Sequence, residues 1–291
     1  MTLNSLRTFL RVRLHTAISL MVDIADSTES LSSPQSRINR SSSSHFTAIA
    51  PLEIRLQRLS GISPVRYQSA MALQLASKTT VRPQELAMAL CDAYDTLAPP
   101  LIGPSWPFSI AANATGWLTL SLSCTSLMAF LDQSLSHWSS GSSIQPHDFP
   151  FLIWQTDQRC QSLRLHLERH PVQAPSKDAP PYNESLLQCG PTQSAFSALM
   201  EALLDWMDDE GPSKTPHKAL IRVCQCLDRL HQQVPLFHPH TTQHTQHQFL
   251  KSLAWVQGAI RHEVVLMNEI SNSDGQLRRS GMTNSGSSDI F

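Results

Sequence analysis

The sequence predicts two parts, an α+β domain over residues 1–130 followed by an all-α helical bundle over residues 148–270. Leucines and isoleucines alternate with polar residues twice in the first part, which is typical of half-buried strands. After residue 150 the apolar residues recur every three or four positions instead, which is typical of amphipathic helices. The chain has 291 residues, of which 41% are hydrophobic and only 15% charged, so it is long and apolar enough to bury a core.

Five elements are expected in the α+β domain. An apolar stripe beginning at Leu3 predicts a first amphipathic helix that ends near Met21, and residues 67–77 favour another helix. Pro83 suits the first turn of a third helix, which we expect to run to Tyr94. Period-two alternation predicts strands at 52–57 and 118–122.

Composition predicts three irregular segments. Nine of the eighteen residues in 27–44 are serine, which indicates a flexible insert after the first helix. Residues 131–147, which contain a Ser-Ser-Gly-Ser-Ser run, are interpreted as the linker between the two domains. The polar tail at 271–291 is expected to be disordered.

The bundle is expected to contain four helices. Their apolar stripes predict helices at 151–169, 193–207, 216–234 and 246–270. Thr215 is the expected N-cap of the third of these helices.

The charge is distributed unevenly along the chain. Residues 1–82 contain ten Lys and Arg against four Asp and Glu, a net charge of +6, whereas the whole chain has a net charge of −1. The remaining residues therefore carry −7. A basic front segment favours one charged face that meets an anion, and an accidental imbalance among exposed residues is the alternative.

The sequence excludes some classes of protein and compartment. Its longest apolar run, Leu86 to Cys91, is far too short to cross a membrane. The six cysteines form no CxxC motif and no signal peptide precedes them, which predicts reduced thiols and a cytoplasmic protein. Because Arg7, Arg11 and Arg13 occur with no acid before Asp23, organelle import is a second interpretation of this segment.

Neither a metal site nor a cofactor is expected. Five histidines occur between His231 and His247, but most lie on a Pro- and Thr-containing segment at 238–247 without a thiolate or carboxylate nearby. The acidic run Asp208-Asp209-Glu210 is interpreted as a solvated turn before Gly211. Walker, GxSxG and GxGxxG motifs are absent from the sequence, so we predict no catalytic residue.

A more specific pattern appears in the first part. Tyr67-Gln-Ser-Ala-Met-Ala-Leu-Gln-Leu-Ala76 is followed by Arg82-Pro-Gln-Glu-Leu-Ala87 and later by Thr115-Gly116-Trp117-Leu118-Thr119-Leu120. These tracts resemble the N-terminal additional domain of arginyl-tRNA synthetases, including its Pro-Gly-Phe-Ile-Asn strand. Val65-Arg66 stands where that family has Gly-Asp, and Ala70 where it has Asn.

The helical part resembles the DALR anticodon-binding domain of the same enzymes. Arg159, Ser162 and Leu163 fall on matching positions of its Tyr-Ala-x-x-Arg-x-x-Ser-(Ile/Leu) helix. The class I catalytic domain that separates these ends in the family is missing, along with its His-x-Gly-His and Lys-Met-Ser-Lys signatures. The resemblance therefore implies a protein that is not an enzyme.

We interpret the chain as a non-catalytic tRNA-binding paralog of arginyl-tRNA synthetase. One form of this interpretation is an accessory factor that presents an arginine-type tRNA to a tRNA-modifying enzyme or a synthetase. The alternative is a protein-interaction scaffold that kept the fold and lost RNA binding. In the family, the aromatic residue at the position of Trp117 contacts bases of the D-loop. The candidate RNA-binding residues are Arg55, Arg66, Tyr67, Arg82, Trp117 and Thr119 in the first part and Trp154, Arg159 and Arg164 in the second.

Overall fold

The structure is a computed structural model, and it divides the chain into two compact units. It describes residues 5–29, 53–61, 64–79, 81–97, 108–138, 149–169, 191–208, 217–234 and 243–281. The first unit contains the described residues up to Ser134 together with 191–208, and the second contains the described residues of 135–169 and 217–281.

The first unit combines helices with a small sheet. Its elements in chain order are α1 (Leu6–Glu29), β1 (Gln57–Arg58), β2 (Val65–Ser69), α2 (Met71–Ala76), α3 (Pro83–Thr96), β3 (Phe108–Ala112), β4 (Leu118–Leu122), most of α4 (Cys124–Trp138) and α6 (Pro191–Asp208). The α+β class that the sequence predicts for this part is therefore confirmed.

The sheet is antiparallel throughout, with the strand order β1-β2-β4-β3. Strand alternation divides it into two faces, because successive side chains of a strand point to opposite sides. Val65, Leu118, Leu120 and Leu122 are buried on one face and belong to the core. Helix α1 packs against both α3 and α6, and α3 packs against β3, so these helices add to this core.

Two predicted elements of the first unit are corrected. The expected strand at 52–57 is a two-residue strand at 57–58, since β1 pairs with β2 only through Gln57 and Arg58. The expected helix at 67–77 begins at Met71, because Tyr67 to Ser69 pair with β4 instead. The helix beginning at Pro83 and the strand at 118–122 are confirmed.

In the described residues, the second unit contains the end of α4 and three mutually packed helices, α5 (Phe151–Arg169), α7 (Lys218–Gln233) and α8 (Gln243–Gly281). Its core contains Cys160 of α5, Leu227 of α7 and the fully buried Trp255 of α8. The all-helical character of this part is confirmed, whereas a DALR-type arrangement of the helices stays a prediction.

Four assignments differ clearly from the sequence-based prediction. Helix α1, which was expected to end near Met21, continues to Glu29 and includes the first residues of the expected insert. The helix expected at 193–207 in the bundle is α6 and belongs to the first unit, where it packs against α1. Helix α4 continues to Trp138, so the first eight residues of the expected linker are helical. Helix α8 continues to Gly281, which places half of the expected disordered tail in a helix.

Other expectations lie outside the described residues. These are most of the serine-rich insert, residues 139–147 of the linker, Thr215, His238, His240 and the last ten residues of the tail.

Candidate nucleic-acid interface

The face of the sheet that lies opposite the core is open and polar. Gln68 of β2 pairs directly with Thr119 of β4, and Arg66 pairs with Ser121 on the same face. Arg66 is exposed and Thr119 is partly exposed, so the outer face presents a cation, an amide and hydroxyl groups to solvent. Two of the predicted binding residues therefore share one surface.

A cleft of about 660 Å³ lies beside β1, the edge strand of this sheet. Its walls combine three arginines with one indole, several glutamine amides and one carboxylate. The lining includes Arg7, Arg55, Arg58, Gln68, Trp117 and Asp205. Arg55 and Trp117, which the sequence analysis proposed separately, thus line the same cleft, and Gln68 connects it to the outer face of the sheet.

The turn between β3 and β4 fixes the backbone at Trp117. The Asn113 side-chain oxygen Oδ1 accepts hydrogen bonds from the Trp117 backbone N–H at 2.9 Å and from the Thr115 N–H at 3.0 Å. The Asn113 N–H donates in turn to the Trp117 carbonyl at 2.9 Å. An asparagine that accepts backbone hydrogen bonds in this way holds a tight turn in one conformation. Asn113 is therefore a positioning residue for Trp117, and the sequence analysis missed it.

The residue before the indole also positions it. Gly116 has φ +88°, a conformation that side chains with a Cβ rarely adopt. A Cβ added there would lie 2.7 Å from the Pro83 Cβ, so the turn packs directly against the start of α3. Arg82, the exposed N-cap residue of α3, directly precedes the proline that the turn contacts.

Tyr67 differs from the other predicted residues because its side chain belongs to the core. It is 1% exposed, and its hydroxyl donates a hydrogen bond of 2.7 Å to Oδ2 of Asp208 on α6. Burial, followed by the adjacent Asp208 carboxylate, raises the pKa of Tyr67 well above its ordinary value. The ring offers no open face on which a base could stack, so Tyr67 is removed from the candidate RNA-binding residues.

Helix α6 brings a row of acids to the basic side of this unit. Glu201, Asp205 and Asp208 follow one another at the four- and three-residue spacing that places them on one helix face. Glu201 accepts a hydrogen bond from the Gly61 backbone N–H at 3.2 Å, and Asp205 forms an ion pair with Arg58. The acidic run around Asp208 was expected to be a solvated turn, but Asp208 is only 4% exposed.

The candidate RNA-binding arginines of the second unit make contacts with other side chains of that unit. Arg159 forms an ion pair with Asp228 of α7, and Arg164 donates a hydrogen bond of 2.7 Å to the Gln257 side chain. Both guanidinium groups therefore already have partners within the bundle. Trp154 is partly exposed, and its ring centroid lies 5.8 Å from that of Phe151, which is 68% exposed.

Metal and thiol chemistry find little support in the described part of the chain. Among those residues no group of three His, Cys, Asp or Glu side chains is arranged to hold a metal ion. Burial raises the pKa of Cys224 to about 12, and it raises the pKa of the neighbouring Cys160 even further, so these thiols stay protonated near neutral pH. No described helix is both long and apolar enough to cross a bilayer.

Comparison of the chain with protein-family models, with curated proteins and with solved structures finds no match. The interpretation of this surface therefore rests on the chemistry of its own residues.

Proposed function

We propose that the chain is a non-catalytic tRNA-binding protein, and that the cleft beside β1 and the adjoining open face of the sheet bind unpaired nucleotides. The observation that carries this proposal is the presence of Trp117 and Arg55 in one open cleft. An aromatic ring beside cations is the combination that binds single-stranded nucleic acid, since bases stack on the ring and phosphates pair with the cations.

The arrangement of the surrounding cations supports the same function. Arg55 lines the cleft, Arg66 lies on the adjoining face, and Arg82 precedes Pro83, which contacts the turn that carries Trp117. All three side chains are exposed. Exposed cations near an aromatic ring suit the binding of RNA that presents an unpaired base.

The polar groups of the sheet supply contacts that can distinguish bases. Gln68 lies in the cleft and pairs across the strands with Thr119. Amide and hydroxyl groups donate to and accept from the edges of unstacked bases, which is how proteins read single-stranded RNA. Phosphate contacts from the arginines set the affinity, and these side chains set the preference among sequences.

Binding of total tRNA at several salt concentrations tests this proposal. With three to five arginine contacts, the slope of log affinity against log salt concentration is expected to be about −2 to −4. Arg55→Ala should lower the affinity and the slope. The matched control is Arg229→Ala, because Arg229 is an exposed arginine on α7 of the other unit. Equal losses in both variants, or no preference for tRNA over a random duplex, would contradict the proposal.

The proposal also implies that arginine is not activated. Both class I signatures are absent from the chain, so purified protein should give no arginine-dependent exchange of pyrophosphate into ATP. The measurement is the exchange rate against a protein-free blank. Exchange that disappears when this chain is removed by an antibody against it would contradict a non-catalytic role.

One observation favours a protein partner as a second candidate function, confined to the helical unit. Phe151 is 68% exposed and Leu165 is 47% exposed on α5, while Arg159 and Arg164 are engaged inside the bundle. Contiguous exposed apolar surface marks protein interaction sites, and the exposed Phe151 ring lies against that of Trp154, with centroids 5.8 Å apart. We propose that this helix contacts the partner protein, and Phe151→Ser should abolish that contact without changing tRNA affinity.

A further inference from the structure

Arg58 and Asp205, which both line the cleft, form an ion pair with each other. The side chain of Arg58 is 15% exposed and that of Asp205 is 34% exposed, so both are partly shielded from water. Both side chains nevertheless line the same cleft as Trp117 and Arg55. A cation that faces a proposed RNA cleft is therefore already neutralised by an acid of the same chain.

The chemistry of this pair matches that of a phosphate contact. A carboxylate and a phosphate oxygen both accept the charge-assisted hydrogen bonds of a guanidinium, and they compete for the same donors. The acid comes from α6, a helix that is separated from β1 by more than a hundred residues in the chain. Its neighbours on the same helix face hold α6 in place, Glu201 through the Gly61 N–H and Asp208 through Ser5 and Tyr67.

We infer that Asp205 is an internal competitor for RNA phosphate at Arg58, and that it limits the affinity of the cleft for polyanions. This inference rests on the proposed function and assigns a regulatory role to α6 at the same site. Arg7, the third arginine of the lining, faces the Asp208 carboxylate at 3.6 Å. While the Arg58–Asp205 ion pair holds, Arg55 is therefore left to make the phosphate contact in the cleft and Trp117 to make the base contact. When Asp205 releases Arg58, the cleft gains a second phosphate site.

The test is the tRNA affinity of the Asp205→Asn variant, which keeps the shape of the side chain and removes its charge. Freeing one guanidinium is expected to tighten binding about three- to tenfold at 0.1 M salt and to steepen the salt slope by about 0.7–0.9, the contribution of one phosphate. Glu201→Gln is the matched control, since it removes one negative charge from the same helix face. The Glu201 carboxylate accepts a hydrogen bond from a backbone N–H and, among the described residues, does not pair with an arginine there. It should change affinity less than twofold if the effect is specific to Arg58 rather than to the general field.

A double variant separates competition from other effects of Asp205. In an Arg58→Gln background, Asp205→Asn should give no further gain, because the competed cation is absent. A gain that persists in that background, or an equal gain with Glu201→Gln, would overturn the inference. Melting curves for all variants identify any that fail to fold.

A second probe keeps this inference distinct from the proposed function. Inorganic tripolyphosphate is a polyanion without bases, and it should bind the Asp205→Asn variant at least threefold more tightly than the wild type by calorimetry. If tRNA binds the wild type but neither probe distinguishes Asp205→Asn from it, the proposed function stands and the inference fails. If no variant binds tRNA but tripolyphosphate shows the expected difference, the competition stands and the tRNA function fails.

Discussion

The Tyr67 hydroxyl donates a 2.7 Å hydrogen bond to Asp208 Oδ2, and this contact joins strand β2 to the C-terminal end of α6. The same carboxylate accepts hydrogen bonds from the Ser5 hydroxyl and from the Arg7 backbone N–H, each at 3.2 Å. Acids are unfavourable at a helix C-terminus, because the helix dipole is negative there. Asp208 is stable at that position because three donors and the nearby Arg7 guanidinium, at 3.6 Å, compensate its charge.

Tyr67→Phe should destabilise the first unit. Hydrogen bonds to charged groups contribute about 1.5–3 kcal/mol, and the substitution keeps the volume of the buried ring. The measurement is the free energy of unfolding from denaturant titration. In an Asp208→Asn background the same substitution should cost measurably less, and an undiminished cost would mean that the hydroxyl acts through another group.

Gly116→Ala should destabilise the same unit through its backbone and through a steric clash. The positive φ costs roughly 1–3 kcal/mol for a residue with a Cβ, and the added atom would lie 2.7 Å from Pro83. Gly61→Ala is the control, because Gly61 has φ +100° but no atom lies within 4 Å of its added Cβ. We expect a larger loss of melting temperature at Gly116 than at Gly61. Equal losses would show that the contact with Pro83 adds nothing.

Asn113→Ala should weaken tRNA binding, although Asn113 itself is proposed to position Trp117 and not to contact RNA. The substitution removes the acceptor of the Trp117 and Thr115 backbone N–H groups, so the turn no longer holds the indole in one position. Asn113→Asp keeps an acceptor at the same place and should restore most of the affinity. If alanine and aspartate weaken binding equally, the added charge or a direct contact of Asn113 with RNA explains the effect better than positioning does.

Local patterns predicted those elements in which a single periodicity dominates. Leu118, Leu120 and Leu122 alternate cleanly, and all three are buried in β4 as expected. The prediction of a helix over the whole of 67–77 was wrong at its start. Alanines, leucines and a methionine favour helix there, but pairing with β4 makes the first three residues a strand. Strand β3 was not predicted, because Phe108 to Ala112 lack a strongly apolar alternation. Their pairing with β4 decides their conformation.

The candidate site was predictable in part for similar reasons. Arg55, Trp117 and Thr119 were found from sequence, but their proximity depends on pairing between distant strands. The roles of Tyr67 and Asp208 could not be inferred, since their contact spans 141 positions and joins two elements that composition assigned to different domains. Asn113 did carry a local signal, because an asparagine three residues before a glycine is typical of a turn.

The helical unit should lose stability as the pH falls through about 6.5. Burial, followed by the nearby Arg159 guanidinium, lowers the pKa of His231 below its ordinary value of 6.5. The unfolded chain therefore binds more protons than the folded chain in this range, and protonation favours unfolding. This contribution is present above pH 6.5 and disappears as the pH falls toward the folded-state pKa. His231→Gln should flatten the dependence of melting temperature on pH between about 7.5 and 5.5, and an unchanged profile would exclude His231 as its source.

The most direct test of the account is the dissociation constant of total tRNA for the wild-type protein and for the Trp117→Leu variant, measured together at physiological salt. Loss of a base stacked on the indole should cost about 1–3 kcal/mol, which corresponds to a weakening of roughly 5- to 150-fold. The melting temperature of both proteins, measured in parallel, confirms that the first unit stays folded. The account predicts tight binding by the wild type and this loss in the variant. Unchanged affinity in a folded Trp117→Leu protein would contradict the claim that the cleft binds RNA.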